Sequence, residues 1–448
     1  TILKKKEKLI FLELNELNFH FVEQYIKNGL DLPAFKKVMN WKNVTLKSEN
    51  SYELLEPWIQ WSSIHSGLEF ADHKIFRLGD AVKSKRKTIF ELIEKNGYSV
   101  GAVSPMNIAN RLKRPKFFIP DPWIDTKADN SWVSQFTHAA MRQLVNENAS
   151  DNVKISSILR IFAVSSALLS FKDILKILIY LIKAKSGKKW FKVIAFDFFL
   201  TKVFLKLHTK HDPDFSVLFL NGSAHIQHHY MLSSPFANKE MKPKNPLWYV
   251  SKKQDPLKDM LIEYDKLLQN IILNNKIIIC TGLTQTKVEK TVFYYRLKDH
   301  GCFLKKIGLD FIKIEPRMSR DFLIKFSKTS SRNQAYEILN NIYVKKNIKL
   351  FGLIDKRKNE LFVTLDYPME IFDDTTITNK NMEKIPINLK NMVALVAVKN
   401  GIHSDNCYFF TNNNFSDLEM NDGQHCKNIF QYILSQFPKI NKNQKGVN

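Results

Sequence analysis

The residues best able to do chemistry fall in four clusters. In Phe215–Met231, FSVLFLNGSAHIQHHYM, an apolar run passes straight into a polar loop with His225, His228 and His229. His225 and His229 are four apart, so a helix would set them on one face, and imidazole is the commonest metal ligand among side chains. A lone histidine is usually structural. Three just past a buried strand, at the edge where α/β sheets bind ligands, point to function.

Glu53–Gly67, ELLEPWIQWSSIHSG, crowds Glu56, Gln60, Ser62, Ser63 and His65 into one turn-rich stretch with two tryptophans. A serine here would be a nucleophile if a base lay beside it; serines at a helix start are more often caps. Trp58 and Trp61, one helical turn apart, would stack a sugar or base, although tryptophans so spaced more often fill a core. In Lys399–Phe410, KNGIHSDNCYFF, His403 follows a strand and a glycine turn. Cys280–Gln285, CTGLTQ, again lies just past a strand.

The elements that must position these clusters alternate. Leu9–Leu14, Tyr98–Val103, Phe215–Leu220, Lys276–Cys280 and Met392–Val398 are short, apolar and rich in β-branched or aromatic residues, which predicts strands buried on both faces. Amphipathic stretches lie between, such as Lys87–Asn96, ended by Gly97, and Pro256–Leu273. The alternation predicts an α/β fold with a doubly wound, mostly parallel sheet. Residues 155–210 interrupt it with helix-rich, apolar sequence whose charges are almost all lysine. From Lys172 to Lys210 ten lysines face only Asp173 and Asp197, and charges cut every apolar block before it could cross a bilayer. Such a segment reads either as helices lying on an anionic membrane or as a cap with a solvated lysine face. The expected plan is a core made of 1–150, 213–299 and 391–438, a helical insertion at 151–212, a smaller subdomain at 300–390 and a tail at 439–448.

Composition narrows the class. With 448 residues, 44% hydrophobic and 25% charged, the chain is neither disordered nor fibrous. Its net charge of +24 favours anionic partners: phosphorylated or sulfated small molecules and glycans, an anionic membrane surface, or nucleic acid. No RNP-like, helix-turn-helix or zinc-finger pattern supports nucleic acid. Cys280, Cys302, Cys407 and Cys426 are scattered without a C-x-x-C pair, which fits a reduced interior. The first apolar run is broken by Glu13 and too short for a signal peptide. The expected location is cytoplasmic, peripheral on the inner membrane.

Taken in order, these segments resemble the alkaline phosphatase superfamily, particularly its type I phosphodiesterase/nucleotide pyrophosphatase branch. LIFLELNEL is similar to that family's first strand, which ends in Asp-Gly, with Asn15 and Glu16 at those two places. WIQWSSIHSG followed by FADH resembles the nucleophile-helix region, where Ser66-Gly67 and His73 fit. LFLNGSAHIQHHY resembles the segment carrying Asp-x-x-x-His, with Ala224 at the aspartate and His228 at the histidine. CTGLTQ stands where the family has Ser-Asp-His-Gly, so Gly282 and Leu283 replace both ligands. GIHSDNCYFF resembles the late Gly-x-His segment, whose ligand His403 matches. The resemblance covers residues 1–125, 213–285 and 390–412.

It implies two metal ions that activate a Thr or Ser nucleophile and polarise phosphoryl oxygens. The departures dismantle that centre. Asn15, Gly282 and Leu283 empty the second metal site, Pro57 stands near the nucleophile position without a hydroxyl, and Ala224 removes a carboxylate from the first site. Glu16 and Glu56 stand one residue from the lost aspartate and the lost nucleophile. The expected site therefore holds one divalent ion, zinc or manganese, on His228, His403 and Glu16. Equally weighted is a metal-free site with Glu56 or a histidine as base and Arg77, Arg296 or Arg317 clamping phosphate. Catalytic roles are expected of Glu56, His225 and Ser63, and substrate contacts of Asn15, Gln60, Trp61, Arg77, Asn221 and Gln285. The expected function is hydrolysis or transfer on a phosphoryl- or sulfuryl-linked substrate, such as a glycan or lipid-linked precursor at a membrane surface. The alternative is a catalytically inactive pseudoenzyme that binds phosphoanions.

Overall fold

The computed structural model describes residues 8–147, 155–237, 244–273, 275–316, 320–345, 348–412, 418–438 and 440. Strands β1 (Leu9–Leu14), β2 (Lys42–Lys47), β3 (Val100–Val103), β4 (Phe117–Ile119), β5 (Phe215–Leu220), β6 (Lys276–Cys280) and β7 (Asn406–Thr411) form a seven-stranded sheet ordered β2-β7-β6-β1-β5-β3-β4. The five strands from β6 to β4 run parallel, and β7 is antiparallel to both β6 and β2. Side chains of β1 alternate between two cores: Ile10, Leu12 and Leu14 enter one, Leu9 and Phe11 the other. Burial on both faces explains why the central strands read as near-continuous apolar runs.

The helices include α1 (Pro57–Ser66), α2 (Ile155–Leu168), α3 (Phe171–Lys185), α4 (Phe191–His211), α5 (Gly222–Tyr230) and α6 (Pro256–Ile271). α1 covers one face of the sheet through Trp61 and Ile64, while α4 and α6 cover the other. Pro57 opens α1 at a position where its missing N–H costs nothing. Gly67 closes it with φ 72°, and a Cβ there would lie 2.5 Å from the Phe430 ring. A reciprocal cap between Ser170 and Asp173 starts α3.

Met392–Val398 does not join the main sheet. Met392 ends a short helix, and the rest belongs to Val393–Ser404, which pairs antiparallel with Thr284–Leu297 in a separate two-stranded ribbon. Much of that strand is only half-buried, so its apolar run covers one side rather than two. The ribbon leaves the carboxyl end of β6 and sets His403 directly opposite Gln285. Beyond it, Lys313–Pro316, Asp321–Lys325, Phe351–Arg357 and Glu360–Leu365 form an antiparallel sheet with its own core of Phe322, Phe351 and Leu361. Two cysteines far apart in sequence meet: Cys280 Sγ lies 3.4 Å from Cys407 Sγ, both buried free thiols.

Buried titratable groups give the fold a pH dependence. Burial pushes His73, His138, His208 and His300 each down to about 4. Unfolding restores their ordinary affinity for protons, so acidification through the unfolded range favours the unfolded chain. Burial also raises Asp121 to about 7 and Asp197 to about 6 and lifts Glu13, Glu56 and Asp255, which acts in the opposite sense. His211, His225, His229 and His425 are lowered too, so the imidazoles prevail. The melting temperature should therefore fall by about 5 °C between about pH 7 and about pH 5. Calorimetry showing constant or rising stability over that interval would contradict the burial of these imidazoles.

Candidate functional site

Three chain segments converge at the carboxyl edge of the sheet. After β1 the backbone turns through Asn15 and Glu16, whose N–H groups donate to Leu220 O at 3.0 Å and Thr281 O at 2.9 Å. Glu16 has φ 61°, a left-handed conformation that costs a non-glycine residue about 1 kcal/mol. This is the position matched to a glycine in the resembled family; here the same turn carries a carboxylate. α5 follows β5 at once. Its first turn is fixed by Asp197, which accepts from Gly222 N at 2.8 Å, and by Tyr264, whose hydroxyl accepts from Ser223 N at 3.0 Å. His228 stands on the next turn, and His403 arrives on the ribbon.

Glu16 Oε2 lies 3.1 Å from His228 Nε2 and 3.2 Å from His403 Nε2, and the two Nε2 atoms are 3.1 Å apart. Glu16 Oε2 can accept an N–H from each imidazole, but the two Nε2 atoms then face each other at 3.1 Å as two donors, so hydrogen bonding leaves one side of the triangle repulsive. A cation at its centre satisfies all three sides. Tetrahedral zinc, with bonds of about 2.0–2.1 Å, holds its ligand atoms about 3.3 Å apart. Among the described residues these three form the one group of three or more His, Cys, Asp or Glu ligand atoms within 4.8 Å of one another. Three protein ligands leave a fourth tetrahedral position for water or substrate.

The surroundings aim the ligands. His228 Nδ1 faces Gly401 O at 3.4 Å, and His403 bonds the Leu55 carbonyl, which turns both Nε2 lone pairs inward. Gln285 Nε2 donates to Glu16 Oε2, Asn15 Nδ2 to Glu16 Oε1 at 3.1 Å, and Gln227 Nε2 to Glu16 O at 2.7 Å. Burial alone would raise the Glu16 pKa; the two imidazoles outweigh it and hold the carboxyl well below its usual range. Glu56 Oε2 stands 3.8 Å from His403 Nδ1, outside the ligand set. Burial raises its pKa, with His403 partly offsetting that.

Other residues expected at the site do different work. Ser63 is fully buried; its hydroxyl meets Ile59 O at 3.3 Å and His73 Nε2 at 3.0 Å. His73 Nδ1 accepts from Ile75 N, so Nε2 holds the ring proton and cannot take one from Ser63. Ser63 is therefore no nucleophile. Gln60, also buried, accepts from Glu49 N and donates to Leu54 O, bracing the loop ahead of α1. Trp61 is no stacking platform: its indole is fully buried and donates to Asn15 Oδ1 at 2.8 Å. A Cβ on Gly282 would lie 2.8 Å from that ring, so the indole fills the space a ligand at 282 would need. Asn15 is buried and engaged with Trp61, Glu16 and Asn221, which makes it a brace rather than a substrate contact.

Gln285 is likewise buried and braces Glu16 and Ala224 O. Asn221 remains half-buried at the rim. The His225 and His229 rings meet at a 40° tilt with centroids 4.1 Å apart, and burial pushes His225 down to about 4. Arg77 is exposed, Arg296 faces His300 in the ribbon region, and Arg317 lies outside the described residues. No spacing or residue type pointed to Gln227 or to the Leu55 carbonyl. Gly401 signalled only a turn, yet a Cβ there would lie 2.1 Å from Gln285 Oε1.

No protein-family model matches the chain, and no curated protein does. Solved structures do align. Phosphonoacetate hydrolase from Sinorhizobium meliloti 1021, in complex with phosphonoformate, aligns at 12% identity and TM-score 0.40, over 95% of each chain. Human ectonucleotide pyrophosphatase/phosphodiesterase 5 aligns at 12% identity and TM-score 0.38, over 95% of this chain and 94% of its own. Alkaline phosphatase from the Antarctic bacterium TAB5 aligns at 11% identity and TM-score 0.40, over 97% of this chain and 99% of its own. All three are alkaline phosphatase superfamily members.

Titration of chelator-treated protein with zinc should reveal one site. His228→Ala or His403→Ala should weaken it by at least about 100-fold, and Gln285→Ala by about tenfold through loss of the Glu16 brace. Calorimetry that detects no zinc or manganese binding to the intact chain would rule out a metal at this triangle.

Proposed function

We propose that the chain is a one-metal hydrolase or transferase for phosphoryl- or sulfuryl-linked substrates. The observation that carries this reading is the triangle of Glu16, His228 and His403 donor atoms, with sides of 3.1–3.2 Å, at the ligand-binding edge of the sheet. A divalent ion held there, zinc or manganese, supplies Lewis-acid polarisation of a phosphoryl or sulfuryl oxygen. Glu16 and the imidazoles fix the site; Glu56 does the proton work. Its side chain is 37% exposed, so it reaches solvent and substrate, and its raised pKa suits a group that takes a proton and returns it.

Pro57 at the head of α1 has no hydroxyl and Ser63 is sealed in the core, which favours direct attack by water or an acceptor hydroxyl over a covalent enzyme intermediate. Water gives hydrolysis, an acceptor gives transfer. The charge of Lys399, which favours ionised Glu56, and the rim amide of Asn221 are suited to receive an anionic substrate. The excess of 68 basic over 44 acidic residues attracts such substrates to the protein. A glycan or lipid-linked phosphoryl compound is the substrate class we favour.

A second reading, a phosphoanion-binding protein without turnover, is favoured by the missing hydroxyl and by the indole packed against Gly282. The two separate on one variant. Glu56→Gln should lower kcat on a nitrophenyl phosphodiester or sulfate by about 10²–10⁴-fold while zinc affinity stays unchanged. Heat stabilisation by inorganic phosphate, with no turnover of either ester class by the metal-loaded chain, would select the binding protein instead.

A further inference from the structure

Two consecutive helices leave apolar stripes in solvent. Along α3, Phe171 (80% exposed), Leu175, Leu178 and Ile182 (65%) recur at three- and four-residue spacing. Along α2, Ile158 and Phe162 (64%) repeat the pattern four residues apart. The opposite side of α3 is well anchored. Tyr180 and Ala184 are buried, Lys176 pairs with Glu263 at 3.2 Å, and Asp173 holds Lys202 of α4 at 2.9 Å. The helix is thus held in place with its apolar stripe outward. Soluble monomers rarely expose apolar side chains this densely without a partner.

The charge around the stripes identifies the partner. Between Arg160 and Lys210 the only acids are Asp173, engaged with Lys202, and Asp197, buried against Gly222 and Tyr264. Lys172, Lys185, Lys189 and Lys192 are exposed and form no salt bridge among the described residues. A second copy of the chain would set these lysines against themselves across a two-fold contact, which is repulsive. An anionic bilayer accepts both features: acyl chains for the stripe, phosphates for the lysines. No described helix is long and apolar enough to cross a membrane, and the 15 residues of α3 span only about 22 Å, so the fit is to the surface plane.

We propose that α2 and α3 adsorb in the headgroup layer of an anionic membrane, with Phe162, Phe171 and Ile182 in the acyl boundary and the exposed lysines on lipid phosphates. Adsorption goes beyond the metal-site chemistry and does not rest on it, because it is read without turnover. Flotation of the full chain with phosphatidylcholine vesicles, with or without phosphatidylglycerol, tests it. The anionic vesicles should bind at least about tenfold more tightly, and less so as salt rises. Replacing Phe162, Phe171 and Ile182 together by serine should cost about tenfold in that binding, and Lys172→Glu with Lys185→Glu and Lys189→Glu should remove the preference for anionic lipid. Unchanged circular dichroism and melting curves of both variants would show that they fold. Three results would overturn the proposal: wild-type chain that floats with neither vesicle, serine variants that bind as wild type does, and a concentration-dependent dimer that the serine variant abolishes.

Discussion

Everything at the functional edge is arranged around one unfavourable demand: two imidazole nitrogens and a carboxylate oxygen must stay within 3.1–3.2 Å of one another. Left alone, such groups would separate to find better-aimed partners. Here β1 supplies the carboxylate through a left-handed residue, α5 and the ribbon each supply an imidazole, and the backbone carbonyls of Gly401 and Leu55 stop the rings from turning away. The supporting amides of Asn15, Gln227 and Gln285 all come from the same three segments. A missing brace therefore loosens the whole set.

Beneath that edge lies a second layer with a different character. Glu13, inward-facing on β1, bonds His65 of α1, and Trp61 stacks on the same His65 with ring centroids 5.8 Å apart. Burial raises the Glu13 pKa while His65 works against it. This layer packs α1 against the sheet and carries the indole to Asn15. Its polar atoms face the core, whereas those of Glu16 and Glu56 face the ligand edge. Glu13 and Glu16, three residues apart on one strand and its turn, thus stand in different settings, one packed against α1 and the other in the donor triangle.

Much of this is legible in the sequence, for physical reasons. Phe215–Leu220 and Lys276–Cys280 stand out because strands buried on both faces need near-continuous apolar runs. Glu16 and His403 can be named because they come just after a strand and a glycine turn, and His228 because it lies among three histidines soon after Phe215–Leu220. The misreadings share a cause. Ser63, Gln60 and Trp61 lie on a helix whose sequence is apolar or neutral almost all round, so spacing alone does not tell which side meets the core. The half-buried strand at Val393–Ser404 looks fully buried because its exposed positions are also apolar. The carbonyl that orients His403 has no side chain to announce it.

The indole of Trp61 also sets the routes by which this chain can change. An aspartate at 282 collides with the ring, and a smaller residue at 61 leaves a hole and strips Asn15 of its donor. Each of these changes is harmful until the other has been made. The indole and Gly282 are thus locked together: either can change only after the other has, so variation at this spot is confined to paired substitutions.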